Sequence, residues 1–374
     1  MNYSPVISAT GLFTPEQSIS NQELVDSYNR YVELTNQKNA ARINAGEMEP
    51  LQPSSAEFIE KASGIQSRFV LQKEAILDVE QMAPKFPVRQ DDQHCYMVEM
   101  ALVAARQALQ SAALDAQEID LVIGAASNME RAYPAIAVEL QAALGCAGYG
   151  FDMNVACSSA TFGIKTAADA IRCGTANKVL MVNPEICSGH LNFRDRDCHF
   201  IFGDVCTAVI IEREDDTKSR ALNSVMRIED FKLVTQYSNN IRNNFGFLNR
   251  QAEDPQTLLF KQQGRKVFKE VVPMVSDLII SLLSKNALEA DQVALFWLHQ
   301  ANLNMNQLIA KKVLGEVPGQ DRAPTVLDQY ANTSSAGSVI AMHQTLGQLK
   351  AGDFGVLCSF GAGYSAGAIL LRKI

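Results

Sequence analysis

The 374-residue chain has no long hydrophobic run and no excess of basic charge. Its longest apolar runs, such as residues 121–126 and 295–298, are far shorter than the roughly 20 residues that cross a bilayer. With 33 basic and 41 acidic residues, its formal net charge is −8, so no global field attracts nucleic acid or anionic lipid. We therefore expect no membrane and no nucleic-acid partner, and any anionic ligand must meet a local basic patch.

Paired cysteine motifs are also lacking. The eight cysteines are scattered without CxxC spacing, which is typical of free thiols in a reducing cytoplasm and indicates no structural zinc site. The first residues carry neither the basic segment nor the long apolar segment of a signal peptide. We therefore expect a cytoplasmic protein without a metal.

Glycine and proline are few, at 22 and 12 residues, whereas 47% of the residues are hydrophobic. This composition excludes a disordered or collagen-like chain, because enough apolar side chains are present to bury a large core. At roughly 100–200 residues per domain, the length predicts two domains or a duplicated unit.

A helix followed by a buried strand occurs twice at nearly constant spacing. The helices predicted over residues 97–113 and 271–285 are followed by Leu114 and Leu288, which lie 174 positions apart. Alternating helices and buried strands predict parallel-rich sheets covered on both faces. We predict an α/β fold with two halves, residues 1–216 and 217–374, about a pseudo-two-fold axis. Chance similarity between two α/β units is the alternative.

The polar segment 29–52 interrupts the first half. It contains helix-forming residues, and it follows a helix for which Asn21 is the predicted N-cap. Both a solvated helical insertion without a role and a functional lid fit this composition. The sequence leaves the two open.

Cys157 lies where a strand is expected to give way to a helix of small residues. At that position, the unpaired N–H groups and the dipole of the helix would favour the thiolate. A small core residue is the alternative. We assign that role to the other cysteines, which are Cys95, Cys146, Cys173, Cys187, Cys198, Cys206 and Cys358.

Two polar residues in the second half are candidates for the same site. His299 follows the buried strand at 295–298, and Asn332 opens the helix equivalent to the one that carries Cys157. A core histidine and an N-cap asparagine are the ordinary alternatives. The pseudo-two-fold axis would bring Cys157 and Asn332 together, because they hold nearly equivalent positions. The glycine-rich segment 360–363 could present a backbone N–H to a developing oxyanion.

Four short motifs, in this order, resemble those of the thiolase-like condensing enzymes, specifically the β-ketoacyl-acyl-carrier-protein synthase III family. They are Ala156-Cys157-Ser158-Ser159, His299-Gln300-Ala301-Asn302, Asn332-Thr333-Ser334-Ser335 and Phe360-Gly361-Ala362-Gly363. The resemblance runs from Val6 to the C-terminus. It implies a thiolase-like duplicated αβαβα five-layer fold, with Cys157, His299 and Asn332 as the catalytic residues.

The resemblance also implies a reaction. The Cys157 thiolate would attack an acyl-CoA, with the oxyanion held by the backbone N–H groups of Cys157 and Ala362. Malonyl-acyl carrier protein would follow, and His299 and Asn332 would stabilise the enolate formed as CO₂ leaves. The result is a decarboxylating Claisen condensation that initiates fatty acid synthesis, with no metal or bound cofactor.

Further binding residues follow from the same resemblance. Phe58 stands where the family commonly has a tryptophan on the CoA adenine, and Arg196 matches the other adenine-stacking position. Phe202 would bind substrate, and Tyr133 would reach into the acyl pocket of the second subunit of a homodimer. The carrier-protein face would include Lys269, Lys311 and Lys312.

The long segment 29–52 and the departures from the family pattern at Phe58, Ala62 and Asn304 resemble longer relatives that accept medium-chain acyl-CoA, such as octanoyl-CoA, and make β-ketodecanoyl-carrier protein. Two alternatives are a same-fold acyltransferase with another acceptor and a head-to-head acyl condensing enzyme. A third is a non-catalytic partner, but such proteins lose the nucleophile, whereas this chain has Cys157. The acyl chain length, the final acceptor and the choice between CoA and carrier protein for the priming substrate stay open.

Overall fold

The computed structural model describes residues 3–249 and 251–374 as a mixed α/β protein. The strands are β1 (Pro5–Phe13), β2 (Gln17–Ser20), β3 (Ser67–Val70), β4 (Leu121–Ala125), β5 (Tyr149–Met153), β6 (Lys178–Ile186), β7 (Asp204–Arg213), β8 (Met226–Ser238), β9 (Ile241–Arg242), β10 (Lys261–Gln262), β11 (Val293–Leu298), β12 (Phe354–Gly361) and β13 (Gly363–Lys373). The helices are α1 (Asn21–Lys38), α2 (Ala40–Asn44), α3 (Ala56–Ser63), α4 (Lys73–Leu77), α5 (Tyr96–Ala112), α6 (Ile136–Leu144), α7 (Ser159–Cys173), α8 (Glu214–Thr217), α9 (Gly264–Lys285), α10 (Leu303–Leu314), α11 (Leu327–Tyr330) and α12 (Gly337–Thr345). Within the described ranges, no helix is long and apolar enough to cross a membrane.

Nine strands form one sheet in the order β11-β12-β13-β8-β1-β7-β6-β4-β5. The order is symmetric about the β1–β8 pair, which joins the two halves through Val6 and Arg227. On either side of this pair, β7 corresponds to β13, β6 to β12 and β4 to β11. This symmetry is what a duplication predicts. The division at residue 216 falls in α8 and stays a prediction.

The sheet is less parallel than the sequence pattern suggests. β4 pairs in parallel with β5 and β6, and β11 does so with β12, but the β6–β7, β12–β13 and β1–β7 pairs are antiparallel. The expectation of parallel-rich sheets was therefore wrong for these strands. The reason is topological, because β13 follows β12 after the single residue Ala362, which leaves no room for a helical crossover.

Alternating side chains place helices on both faces of the sheet. In β4, Leu121 and Ile123 pack with α7 and α12, whereas Val122 packs with α5 and α6. In β11, Leu295 and Trp297 also face α7 and α12, and the neighbouring side chains face α9 and α10. The result is five layers, because the sheet folds over at the β1–β8 pair and each half of it forms a layer. The order is α5/α6, the strands β1, β7, β6, β4 and β5, the helices α7/α12, the strands β8, β13, β12 and β11, and α9/α10.

The start of α1 differs from the prediction. Ser20, not Asn21, is the N-cap, since its Oγ accepts the N–H of Glu23 at 3.2 Å and its own N–H donates to the Glu23 carboxylate at 2.9 Å. Asn21 instead accepts a 2.7 Å hydrogen bond from the buried Arg68 guanidinium. A capping box satisfies two backbone donors, whereas Asn21 would satisfy one.

The segment 29–52 is folded. α1 continues through it to Lys38, and α2 follows. Val32 is buried in a hydrophobic cluster that also contains Val25 and Tyr28. The return path is fixed by Asn36, whose side chain donates to the Leu51 carbonyl at 3.0 Å and accepts the Leu51 N–H at 2.9 Å. The expected helical content is present. A role as a lid stays a prediction.

The contact between β1 and α5 tolerates no side chain at Gly11. A Cβ there would overlap the backbone carbonyl of Ala104 and lie 2.9 Å from the Ala108 nitrogen. We predict that Gly11→Ala lowers the free energy of unfolding by about 1–3 kcal/mol, measured by urea denaturation. The control is Gly347→Ala, where nothing lies within 4 Å. Equal stability of the two variants contradicts this packing.

Candidate active site

A tight turn presents Cys157 just before α7. Ala156 adopts a left-handed conformation with φ of 48°, which is uncommon for a residue with a Cβ. Asn154 Oδ1 accepts the Ala156 N–H at 2.8 Å, and Ser159 Oγ donates to the Ala156 carbonyl at 2.7 Å while accepting the Val155 N–H at 2.9 Å. These bonds fix the turn, which directs the Cys157 side chain into a cavity.

That cavity has a volume of about 860 Å³ and is lined by five of the predicted residues. Cys157, His299 and Asn332 line it together with Phe58 and Phe202. The three reacting groups predicted from sequence therefore open into one space, although they come from both halves of the chain.

Asn332 is held through its backbone and its side chain. Its N–H donates to the Ile201 carbonyl at 2.9 Å, and its carbonyl accepts the Gly203 N–H at 3.1 Å. Its Oδ1 accepts the Ser334 N–H at 2.8 Å. Because the oxygen is engaged in this way, the amide nitrogen is the group that remains to donate a hydrogen bond to a ligand.

His299 stands at the end of β11 and is buried, with its ring edge-on to Phe360 at 5.0 Å between centroids. Burial lowers the pKa of its imidazole to about 3. The ring is therefore neutral at physiological pH. Its Nδ1 has no hydrogen-bond partner among the described residues.

The Cys157 thiol is more basic than the sequence suggested. Burial raises its pKa to about 11, and the charge of Glu185 adds to the rise. The Ser334 hydroxyl and the backbone N–H groups of Ala362 and Cys157 act in the opposite direction. The backbone donors favour the thiolate, as the sequence predicts for the Cys157 N–H, but desolvation outweighs them.

The glycine-rich turn after β12 lies directly against the nucleophile. A Cβ on Gly361 would lie 2.6 Å from the Cys157 Cβ and 2.9 Å from its sulfur. The absence of a side chain at Gly361 lets the Ala362 N–H approach the sulfur. The N–H groups of Ala362 and Cys157, predicted to form an oxyanion hole, thus both act on the sulfur.

The two residues predicted to flank the CoA adenine contact each other. The Arg196 guanidinium lies 4.3 Å from the centre of the Phe58 ring, and its Nε donates to the Pro53 carbonyl at 2.7 Å. A flat ring can enter between Phe58 and Arg196 only if they separate. Their predicted role in binding adenine stays a prediction.

The remaining predicted residues lie outside the cavity. Tyr133 is 84% exposed and is not among the described residues that line it. The predicted carrier-protein lysines are exposed on α9 and α10, and they are Lys269, Lys311 and Lys312.

Sequence reasoning missed several polar residues of the site. Lys261 and Arg265 line the cavity, as do the acidic residues Asp195 and Asp197. Ser334 lies within the motif Asn332-Thr333-Ser334-Ser335, but the resemblance implies no role for its hydroxyl. Glu185 had one available signal, since it is an acidic residue inside an otherwise buried strand. In the described ranges, no group of three metal-ligating side chains occurs.

Comparisons with known proteins identify the family. A family model for 3-oxoacyl-[acyl-carrier-protein] synthase III matches residues 151–229, and the model for its C-terminal part matches residues 283–373. The β-ketodecanoyl-[acyl-carrier-protein] synthase of Pseudomonas aeruginosa is 58% identical over 352 residues, which cover 93% of this chain and all of the relative. The chain belongs to the β-ketoacyl-acyl-carrier-protein synthase III family.

Other members of this synthase III family agree. The β-ketoacyl-[acyl-carrier-protein] synthase III of Bartonella henselae is 30% identical over 284 residues, covering 74% of this chain and 84% of the relative. The crystal structure of the synthase III of Aquifex aeolicus matches with a TM-score of 0.76, at 24% identity, over 98% of this chain and 99% of that one. The predicted thiolase-like fold is confirmed, and the chain is a condensing acyltransferase.

The buried thiol leads to a test of reactivity. Because the pKa of Cys157 is about 11, its thiolate fraction rises about tenfold per pH unit below that value. We predict that alkylation of Cys157 by iodoacetamide accelerates about tenfold for each pH unit between pH 7.5 and 9.5, which is about a hundredfold over the interval. The rate is measured by mass spectrometry of the Cys157 peptide. Exposed Cys173 serves as the internal reference for the reagent. A Cys157 rate that is independent of pH over this interval contradicts the assignment.

Proposed function

We propose that this chain condenses a medium-chain acyl-CoA, such as octanoyl-CoA, with malonyl-acyl carrier protein to give a β-ketoacyl-acyl carrier protein. The observation that carries the proposal is the convergence of Cys157, His299 and Asn332 on one cavity. The high identity to a β-ketodecanoyl-[acyl-carrier-protein] synthase supports a medium-chain product.

In the first half-reaction, Cys157 accepts the acyl group. The resting group is a thiol, because its pKa is about 11. Sulfur attacks the thioester carbonyl, the carbonyl oxygen becomes an oxyanion between the N–H groups of Cys157 and Ala362, and CoA leaves with the thiol proton. Two backbone donors held by the fold need no reorganisation at this step.

In the second half-reaction, His299 and Asn332 act on the malonyl thioester. A neutral imidazole and an amide N–H donate to the thioester carbonyl and stabilise the enolate as CO₂ departs. The enolate carbon attacks the acyl-enzyme carbonyl, the bond to sulfur breaks, and Cys157 leaves as a thiolate that takes a proton from water to restore the resting thiol. The low pKa of His299 suits this role, since an uncharged donor is required and no strong base is needed. No metal or organic cofactor enters this proposal.

The walls of the cavity suit an alkyl chain. Its lining includes the apolar residues Phe202, Phe260, Val267 and Val271. It also includes two basic residues, Lys261 and Arg265, and two acidic residues, Asp195 and Asp197. The apolar side chains agree with an acyl chain in the cavity, and the basic ones agree with the phosphate groups of CoA.

A second copy of the chain is the proposed partner at the β5 edge of the sheet. Among the strands of the described residues, β5 has a neighbour on one side only, and Tyr149 on it is 47% exposed. Tyr133, 84% exposed, lies between β4 and β5 in the chain. An unpaired edge with exposed aromatic side chains supports a homodimer in which Tyr133 reaches the neighbouring acyl pocket. Eight free cysteines support a cytoplasmic location.

Variants of the three reacting residues should affect the two half-reactions differently. We predict that Cys157→Ala abolishes acyl transfer from C2–C12 acyl-CoA, measured by intact mass. His299→Ala and Asn332→Ala keep self-acylation but lower condensation by about 10²–10³-fold, because each removes one donor to the enolate. A control without malonyl-acyl carrier protein detects head-to-head condensation. Failure of the wild type to accept any of these chains contradicts the proposal.

The lysine face leads to a separate test. We predict that the triple change Lys269→Glu, Lys311→Glu and Lys312→Glu raises the KM for malonyl-acyl carrier protein by about tenfold or more and leaves acylation by acyl-CoA unchanged. The acidic chain has a negative formal charge, so a local patch must attract an acidic partner. The control is Lys350→Glu, which precedes β12 and lies at the opposite end of that strand from Gly361. Equal effects of the triple and control variants contradict this docking face.

A further inference from the structure

Glu185 is a buried carboxylate that the proposed reaction does not use. It lies in β6 with 1% of its surface exposed, and none of the described residues forms an ion pair with it. Four N–H and O–H donors surround it instead, together with the Cys187 thiol, which donates to Oε2 at 3.8 Å. Its Oε1 accepts the N–H groups of Ser127 at 3.0 Å and Ser335 at 3.2 Å and also the Ser335 hydroxyl, and its Oε2 accepts the Ser127 hydroxyl at 2.6 Å.

The Ser127 side of this arrangement leads to the nucleophile. The Ser127 carbonyl accepts a 2.8 Å hydrogen bond from Asn154 Nδ2. Asn154 in turn uses its Oδ1 to accept the N–H of Ala156, at 2.8 Å. Ala156 has a positive φ and directly precedes Cys157. Glu185 is therefore connected to the turn that orients the sulfur.

The Ser335 side leads to Asn332. Ser335 follows Ser334, whose φ is 50° and whose N–H holds the Asn332 side-chain oxygen. Two hydrogen bonds to Glu185 anchor Ser335 from the first half of the chain. The orientation of the Asn332 amide thus depends on the same carboxylate as the turn before Cys157.

We propose that Glu185 is a positioning residue that couples the turn carrying Cys157 to the turn carrying Asn332, so that both half-reactions depend on it. This proposal rests on the proposed function. A buried carboxylate without an ion pair is costly unless hydrogen bonds satisfy its lone pairs. An ionised carboxylate offers about four acceptor sites, which match the four donors from Ser127 and Ser335.

The charge of Glu185 also reaches the sulfur. Burial raises its pKa to about 7, and in its ionised form it raises the pKa of Cys157. The other titratable groups near the Glu185 carboxylate are the thiols of Cys187, at 3.8 Å, and Cys206. Asp204 interacts with Cys187 in turn. Because Glu185→Gln removes the negative charge, we expect it to lower the thiol pKa of Cys157.

The first experiment uses this electrostatic effect, which a merely structural role would not produce. Iodoacetamide alkylation of Cys157 is followed against pH in the wild type and in Glu185→Gln, without substrate. We expect the curve of the variant to shift to lower pH. Glu212→Gln is the control, since Glu212 is a buried carboxylate in β7 paired with Arg220. A shift in the control but not in Glu185→Gln overturns the proposal.

The second experiment separates the two sides of the network. We expect Ser127→Ala to slow self-acylation and Ser335→Ala to slow condensation while sparing acylation. Glu185→Ala lowers both by on the order of 10²-fold, as for misplaced reacting groups. Glu185→Gln restores most of both rates, because its amide still accepts and donates to the two serines. The double serine variant should show non-additive losses.

The outcomes are distinct. Wild-type rates of both steps in Glu185→Ala overturn the proposal. The proposal is also overturned if every variant slows both steps equally and the decrease is proportional to its loss of thermal stability. If the wild type forms the acyl-enzyme but never condenses, the proposed function fails. The alkylation shift, measured on the free enzyme, still decides whether Glu185 acts on Cys157.

Discussion

The close packing of α7 against the second half of the sheet is the contact on which the site depends. Ser158 donates to the Ser365 carbonyl at 2.9 Å, and the hydroxyls of Thr161 and Ser359 lie 2.7 Å apart, so the start of α7 is tied to β12 and β13. Small residues make this approach possible, because a Cβ on Gly367 would overlap the Thr161 side chain. The same approach places Cys157 beside the turn after β12.

Burial at this contact determines the chemistry of the resting site. It raises the pKa of the Cys157 thiol and lowers that of the His299 imidazole, so both groups are neutral near pH 7. Neutral groups are cheaper to bury than an ion pair in a cavity with apolar walls. The backbone N–H groups and the Asn332 amide then stabilise only the negative charge that develops on the oxygen of a bound thioester during the reaction. Selectivity for charge that develops during the reaction is what accelerates the chemical step.

The sequence was informative where a feature is local or periodic. The repeated spacing predicted β4 and β11 and their helices, and the equivalence of Cys157 and Asn332 predicted their convergence. Properties set by tertiary contacts were missed. The thiol pKa depends on burial by both halves, and the partners of Glu185 are 58 and 150 residues away along the chain. The antiparallel pairs required the assembled structure. The N-cap is a local feature, since Ser20 and Glu23 form the S-x-x-E pattern of a capping box, and this signal was overlooked.

A single-turnover chase tests the central claim most directly. The enzyme is first acylated with octanoyl-CoA, freed of excess CoA ester, and then mixed with malonyl-acyl carrier protein while intact mass is recorded over time. The account predicts that the octanoyl group on Cys157 disappears as β-ketodecanoyl-acyl carrier protein and CO₂ form in equal amounts. An octanoyl group that stays on Cys157, or that leaves as octanoic acid without a β-keto product, would contradict it.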